Sequence, residues 1–153
     1  MSPHATNADV DYKGSSIAMT HDPAEDEEEY PMLPLHWERF NSFIEDALKV
    51  DPNAKILVHC HAGLNRSGVL AAAHLMTNEK IPVIDAVKRL RRVRGNLALC
   101  NEGFQRQLIE LAHSKELLGE SPDINPAAYM MSDKYKMKKK LVKPIRAFDK
   151  LTS

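Results

Sequence analysis

Residues 57–68 constrain the fold and the chemistry of this chain more than any other stretch; they read L-V-H-C-H-A-G-L-N-R-S-G. Before them, the apolar run 54–59 predicts a short buried strand. After them, residues 67–76 are rich in alanine and leucine, which predicts a buried helix. A tight loop between a strand and a helix N-terminus directs successive backbone N–H groups inward, and the helix dipole adds positive charge. The stretch therefore predicts an anion-binding loop.

Four residues in this loop are of the types that phosphate chemistry needs. Cys60 stands where local positive potential favours the thiolate over the thiol. Arg66 closes the loop, and its guanidinium group can bind two phosphate oxygens at once. Gly63 allows the backbone to turn where a Cβ would clash, and Ser67 places a hydroxyl near the sulfur. We therefore predict a phosphate site whose nucleophile is Cys60.

This loop resembles the signature of the cysteine-dependent protein phosphatases, H-C-x-x-G-x-x-R-[S/T]-G. Three further stretches, 43–48, 72–76 and 101–108, resemble the dual-specificity branch of that family around the same signature. The resemblance covers residues 12–118 and is most specific at the signature. Every fixed position of the signature is present, namely His59, Cys60, Gly63, Arg66, Ser67 and Gly68.

The resemblance implies an α/β fold in which a central, mostly parallel twisted sheet is flanked by helices and carries the Cys-x5-Arg loop. Few residues precede the first predicted strand, so we expect a small member with a shortened N-terminus and fewer strands on one side of the sheet. The residue pattern predicts strands at 12–20 and 54–59, helices at 34–50 and 67–76, a helix from Pro82 that stops at Gly95, and a last helix capped by Asn101.

The chain divides into three parts by composition. We predict a flexible N-terminus over 1–11, a catalytic domain over 12–118, and a linker with a basic tail over 119–153. The tail could contact an acidic protein, RNA or acidic lipid, or it could simply be solvated. No run of eighteen apolar residues and no secretory signal is present in the sequence, and a nucleophilic thiol needs a reducing compartment. We therefore expect the cytoplasm or the nucleus.

The resemblance also implies a general acid on an acidic loop upstream of the cysteine, but here the acidic residues spread over 22–29. Asp22 is the first choice, since it directly follows a predicted strand as the family's acid does. Asp26 is the second choice, because its spacing from the cysteine is closer to the expected one. Glu27 lies at the expected spacing but is of the wrong residue type. The alternative for Asp22 is a plain turn aspartate beside Pro23.

By resemblance, Cys60 attacks phosphorus and forms a phosphocysteine, and Asp22 protonates the leaving oxygen and then deprotonates water. Ser67 stabilises the thiolate that leaves in the second step, while His59 orders the loop by hydrogen bonds. No metal or cofactor is expected, because Arg66 and the loop supply the positive charge. The phosphate is expected to bind the residues of the loop, which are His61, Ala62, Gly63, Leu64, Asn65 and Arg66.

The leading functional prediction is a protein phosphatase that hydrolyses phosphotyrosine, phosphoserine and phosphothreonine. One alternative is an RNA 5′-phosphatase or phosphoinositide phosphatase, since G-L-N-R at 63–66 also resembles the loop of RNA 5′-phosphatases. A second alternative is an inactive relative that binds phosphoproteins.

The sequence allows two interpretations for each of two residues outside the signature. Arg94 either lines the pocket entrance and favours a second phosphate or is a solvated helix residue, and Cys100 is either inert and buried or able to form a disulfide with an oxidised Cys60.

Overall fold

The computed structural model describes residues 17–119, which form four α-helices joined by loops and extended segments. Each of the predicted helices is present, and the predicted bounds differ from the observed ones by three residues at most. The second helix packs against each of the other three and forms the centre of the fold. In chain order the helices are α1 (Met32–Val50), α2 (Arg66–Glu79), α3 (Val83–Arg94) and α4 (Glu102–Ser114).

The predicted α/β fold with a central parallel sheet is wrong for this part of the chain: residues 17–119 contain four helices and no strand. The stretch 54–60 does alternate as a strand would, since Ile56 and Val58 pack on the core while Leu57 is 84% exposed. A strand forms only when its backbone pairs with a second strand, and no segment within the described range supplies that ladder. An apolar alternating run indicates which side chains are buried and does not identify a hydrogen-bonding partner.

The first and last of the three predicted parts of the chain lie almost entirely outside the described residues. The predicted strand at 12–20 is described only from residue 17, and residues 17–20 form no strand. The predicted N-terminus over 1–11 lies outside the described residues, as does the tail over 119–153 except for residue 119. The three-part division therefore stays a prediction. Over residues 17–119, no helix combines the length and the apolar character that crossing a lipid bilayer requires.

The core lies around α2, toward which the other three helices turn their apolar faces. Ala72, Ala73 and Met76 of α2 have no exposed surface. The small alanine side chains allow the neighbouring helices to approach closely, and Phe104 and Leu108 of α4 are fully buried in the same cluster. This packing fixes the N-terminal end of α2, and with it the loop that precedes α2.

The helix ends have local causes. Asn101 caps α4 as predicted, because its Oδ1 accepts a hydrogen bond from the N–H of Phe104 at 3.1 Å. Pro82 precedes α3, and Gly95 follows it with a φ of +89°, a conformation that glycine adopts without steric cost. Lys80 ends α2 in the left-handed conformation. The predicted helix boundaries at Pro82, Gly95 and Asn101 are thus confirmed.

The acidic segment, defined here as residues 22–29, crosses the start of α4 at Gly103. A Cβ at Gly103 would overlap the carbonyl oxygen of Glu28 and lie 2.7 Å from its Cα. We therefore expect Gly103→Ala to displace the acidic segment and to lower the free energy of unfolding by about 1–3 kcal/mol. Urea denaturation measures this change. Gly68→Ala is the matched control, because its Cβ would meet its nearest neighbour, Leu90, at an ordinary 3.6 Å; equal losses in the two variants would contradict the prediction.

Candidate active site

The signature loop, residues 60–66, connects the extended segment 54–59 to the first residue of α2. Gly63 has a φ of +67°, and a Cβ there would lie 2.5 Å from Nη2 of Arg94. The backbone conformation therefore favours glycine at this position, and any side chain would also have to displace the end of the Arg94 side chain. The turn places the backbone of the loop at the N-terminal end of α2, where the helix dipole is positive.

Cys60 lies inside this loop with its sulfur surrounded by hydrogen-bond donors. The hydroxyl of Ser67 donates to the Cys60 Sγ over 3.3 Å. Burial is the largest influence on the Cys60 thiol and raises its pKa. The hydrogen bonds from the Ser67 hydroxyl and from the backbone N–H groups of Ser67, Gly63 and Leu64 together outweigh it, so that the net pKa is lowered. The loop therefore favours a reactive thiolate at Cys60.

Arg66 turns its guanidinium group toward the acidic segment. Its Nη1 donates to the carbonyl oxygen of Ala24 at 2.9 Å. Its Nε is buried and has no hydrogen-bond partner among the residues of the range 17–119. An unpaired buried N–H is costly, and two parallel N–H groups on one edge of a guanidinium group can bind two oxygens of one anion. The arrangement suits a phosphate bound beside the Cys60 sulfur.

Some of the other predicted loop residues contact Cys60 through their backbone, and one reaches other segments through its side chain. The N–H groups of Gly63 and Leu64 face the sulfur, while His61 and Ala62 are exposed. His59 is also exposed, and its side chain makes no hydrogen bond to the described residues, so the predicted ordering role of His59 is not seen in this range. Asn65 differs from the rest, because its side chain leaves the loop and reaches two other segments of the chain.

The structure separates the two candidate acids. Asp22 forms an ion pair with Arg39 of α1, with Oδ1 at 2.7 Å from Nη1, and its side chain is 19% exposed. Asp26 instead lies against the signature loop, where its Oδ2 accepts from Nδ2 of Asn65 at 3.3 Å. Its Oδ1 accepts from Nδ2 of Asn101 at 3.0 Å. The contact between Arg66 and Ala24 brings the chain between the two aspartates onto the signature loop.

The loop between α3 and α4, residues 95–101, forms a hydrogen bond with the signature loop. The N–H of Leu99 donates to the carbonyl oxygen of Leu64 at 3.0 Å. Arg91, only 5% exposed, donates from Nε to the carbonyl oxygen of Ala98 at 3.1 Å, and Gln105 donates to that of Leu99 at 2.7 Å. This role of Arg91 was not predicted from the sequence. The signal was present, because Arg91 follows Val83 and Val87 at helical spacing on the buried face of α3.

The two residues with open interpretations both lie beside the signature loop. Arg94 is exposed and donates from Nη2 to the carbonyl oxygen of Gly63 at 3.2 Å. Cys100 is exposed rather than buried, and its Sγ lies 3.4 Å from Oδ1 of Asn65. Within the described part of the chain, no group of three or more histidine, cysteine, aspartate or glutamate side chains is arranged to hold a metal ion.

Comparison with known proteins identifies the family. The sequence model described as "Dual specificity phosphatase, catalytic domain" matches residues 2–114. The chain belongs to this family. It is 36% identical over 100 residues to dual specificity protein phosphatase 26 of Homo sapiens and of Mus musculus, and 35% identical to that of Bos taurus.

The matches to these relatives are partial. Each covers 65% of this chain and 46% of the relative, so the chain spans about half the length of the curated relatives that it matches. No solved structure matches the chain significantly. The family assignment therefore applies to the phosphatase domain, and it agrees with the resemblance that the signature residues carry.

Proposed function

We propose that this chain is a protein phosphatase that hydrolyses phosphotyrosine, phosphoserine and phosphothreonine through a phosphocysteine intermediate. One observation carries the proposal. The Cys60 thiol, whose pKa is lowered, lies in a loop with Arg66, whose buried Nε has no partner among residues 17–119. A thiolate nucleophile beside an unpaired guanidinium N–H is what attack on a phosphate ester requires.

The proposed first step transfers the phosphoryl group to Cys60. The Sγ attacks phosphorus on the side opposite the leaving oxygen, so that an S–P bond forms as the P–O bond to the substrate breaks. The loop N–H groups and Arg66 bind the equatorial oxygens and stabilise their charge in the transition state. Asp22 donates a proton to the leaving oxygen, which departs as the hydroxyl of tyrosine, serine or threonine.

The proposed second step hydrolyses the phosphocysteine. Asp22, now a carboxylate, accepts a proton from water, whose oxygen forms the new bond to phosphorus as the S–P bond breaks. Ser67 donates to the sulfur at 3.3 Å and stabilises the thiolate that leaves. Inorganic phosphate is released and Cys60 is restored. Arg66 and the loop N–H groups provide the positive charge for both steps, so the mechanism needs no metal ion.

Asp22 remains our choice of general acid because both oxygens of Asp26 are already engaged. Asn65 and Asn101 each donate to one oxygen of the Asp26 carboxylate. A general acid must carry a proton that it can direct toward the leaving oxygen. The ion pair of Asp22 with Arg39 engages Oδ1, and its Oδ2 forms no hydrogen bond to the residues described. We also place the chain in the reducing cytoplasm or nucleus, where Cys60 stays a thiol.

The test compares leaving groups. Asp22→Asn is expected to lower turnover of phosphotyrosine and phosphoserine peptides by about 10²-fold, because it removes the proton donor. Turnover of p-nitrophenyl phosphate, whose leaving group needs little protonation, is expected to fall by less than about tenfold. Initial rates with both substrate types measure the difference.

Asp46→Asn is the matched control, because Asp46 is exposed on α1 and pairs only with Lys49 in the described range. Equal losses on both substrate types would contradict the role of Asp22. Wild-type chain that binds the phosphopeptides without hydrolysing them would contradict the proposed function itself and favour a phosphoprotein-binding role.

A further inference from the structure

The side chain of Asn65 joins three separate segments. Its Oδ1 accepts the backbone N–H groups of Cys100 and Asn101 at 2.9 and 3.0 Å, both in the segment that leads into α4. Its Nδ2 donates to Oδ2 of Asp26 in the acidic segment at 3.3 Å. Asn65 itself precedes Arg66 in the signature loop. The side-chain amide of Asn65 therefore connects the signature loop both to the start of α4 and to the acidic segment.

Asn101 repeats this arrangement from the other side of Asp26. Its Oδ1 caps α4 by accepting the N–H of Phe104 at 3.1 Å, and its Nδ2 donates to Oδ1 of Asp26 at 3.0 Å. In both asparagines the backbone donors occupy the amide oxygen, so only the amide NH₂ can face Asp26. A carboxylate fits between two NH₂ groups because both of its oxygens accept.

We propose that Asn65, Asn101 and Asp26 form an amide clamp that holds the acidic segment against the signature loop. Asp26 and Asn65 are then positioning residues that act through the placement of Asp22, and this part of the inference rests on the proposed phosphatase function. The acidic segment is fixed on one side of Ala24 by the ion pair of Asp22 with Arg39, and on the other side by the clamp. Releasing the clamp loosens the chain between Ala24, which Arg66 holds, and Glu28, which packs on Gly103.

Exchanging the side chains of residues 65 and 26, singly and together, tests the clamp independently of other roles of Asn65. In Asn65→Asp the new carboxylate still accepts the N–H groups of Cys100 and Asn101, but it faces the carboxylate of Asp26. In Asp26→Asn one amide NH₂ meets another. In the double variant, Asn65→Asp with Asp26→Asn, a carboxylate at position 65 faces an amide at position 26, and every donor again has an acceptor. The double variant also keeps the net charge of the wild type.

The first measurement is the NMR backbone order parameter S² of the acidic segment in the full 153-residue chain. Both single variants are expected to lower S² over residues 22–29 from about 0.85, the value of rigid backbone, to about 0.6 or less, and the double variant is expected to restore it. Asn78→Asp is the matched control, because it adds the same charge at an exposed position of α2; its S² over 22–29 should equal that of wild type.

The second measurement is kinetic and depends on the leaving group. Both single variants are expected to lower kcat for phenyl phosphate by about tenfold and kcat for p-nitrophenyl phosphate by less than about threefold, because only the poor leaving group needs a well-placed acid. The double variant is expected to regain most of the loss. A merely structural role would lower both rates equally and would not be rescued.

The two measurements distinguish the clamp from the proposed function. Unchanged S² in the single variants, or S² that the double variant does not restore, would overturn the clamp. Restored S² with equal kinetic losses on both substrates would overturn its positioning role. If the wild-type chain had no turnover, the proposed function would fail, while the order parameters would still decide whether the clamp holds the acidic segment.

Discussion

Replacing Cys60 by serine is expected to lower the turnover of every phosphate ester tested by at least about 10³-fold. A serine hydroxyl at this position stays protonated near neutral pH, so the loop donors that favour the Cys60 thiolate have no anion to stabilise. The loop itself should persist, because serine is close to cysteine in size. Steady-state rates with p-nitrophenyl phosphate measure the loss.

Cys100→Ser is the matched control, since Cys100 is exposed and contacts the side chain of Asn65 rather than the sulfur of Cys60. This control is expected to keep turnover within about twofold of wild type, as surface substitutions usually do. Turnover retained by Cys60→Ser, or lost equally in the two variants, would contradict the assignment of the nucleophile.

Because the pKa of the Cys60 thiol is lowered, the reactivity of Cys60 is expected to persist to lower pH than that of free cysteine. Iodoacetamide reacts with the thiolate, so alkylation slows as pH falls through the pKa of the thiol. In the Cys100→Ser chain, where Cys60 is the remaining cysteine, the midpoint of the rate against pH is expected to lie below that of free cysteine. A midpoint at or above that of free cysteine would show that burial outweighs the hydrogen bonds from Ser67 and the loop.

The features that sequence predicted well are those fixed by neighbouring residues. Asn101 caps α4 through a contact three residues away, and Gly95 ends α3 through its own backbone conformation. Likewise, Cys60 and Ser67 lie together because Cys60 begins the short signature loop and Ser67 follows that loop in the first turn of α2. Such contacts depend on a few consecutive residues, so the order of residue types is enough to predict them.

The features that sequence predicted poorly depend on partners distant in the chain. The stretch 54–60 has the alternation of a strand, yet whether it pairs is decided by a segment that its own residues do not identify. The same reason explains the ambiguity between Asp22 and Asp26. Spacing from the cysteine favoured Asp26 and the position after a predicted strand favoured Asp22, whereas the contacts with Arg39 on one side and Asn65 on the other separate them.

The side chain of Asn65 makes contacts that the signature does not predict. The signature predicts that residue 65 contributes its backbone N–H to the phosphate site, and that role remains a prediction. The side chain turns instead to Cys100, Asn101 and Asp26, which lie 35, 36 and 39 residues away in the chain. A family signature indicates which residue types occur in a loop, but it does not indicate which segments their side chains reach.

Arg66→Lys is expected to lower kcat/KM for p-nitrophenyl phosphate by about 10²- to 10³-fold while leaving the chain folded. Lysine keeps the positive charge but carries it at one point, so it cannot bind two phosphate oxygens through parallel N–H groups. It also lacks the Nε that lies buried and unpartnered in the range 17–119, as well as the Nη1 that donates to Ala24. The loss of kcat/KM should therefore exceed the loss that an arginine-to-lysine exchange causes at an exposed position.

Arg89→Lys is the matched control, because Arg89 pairs with Glu79 at a half-exposed position on α3 and lies outside the signature loop. It is expected to keep kcat/KM within about twofold of wild type, since exposed ion pairs contribute little. Inorganic phosphate supplies a readout without turnover: it should raise the Tm of Cys60→Ser, because binding to the folded state stabilises it, but not that of Cys60→Ser with Arg66→Lys. Equal phosphate stabilisation in both variants would mean that the forked guanidinium group does not hold the anion, and that the loop N–H groups bind it without Arg66.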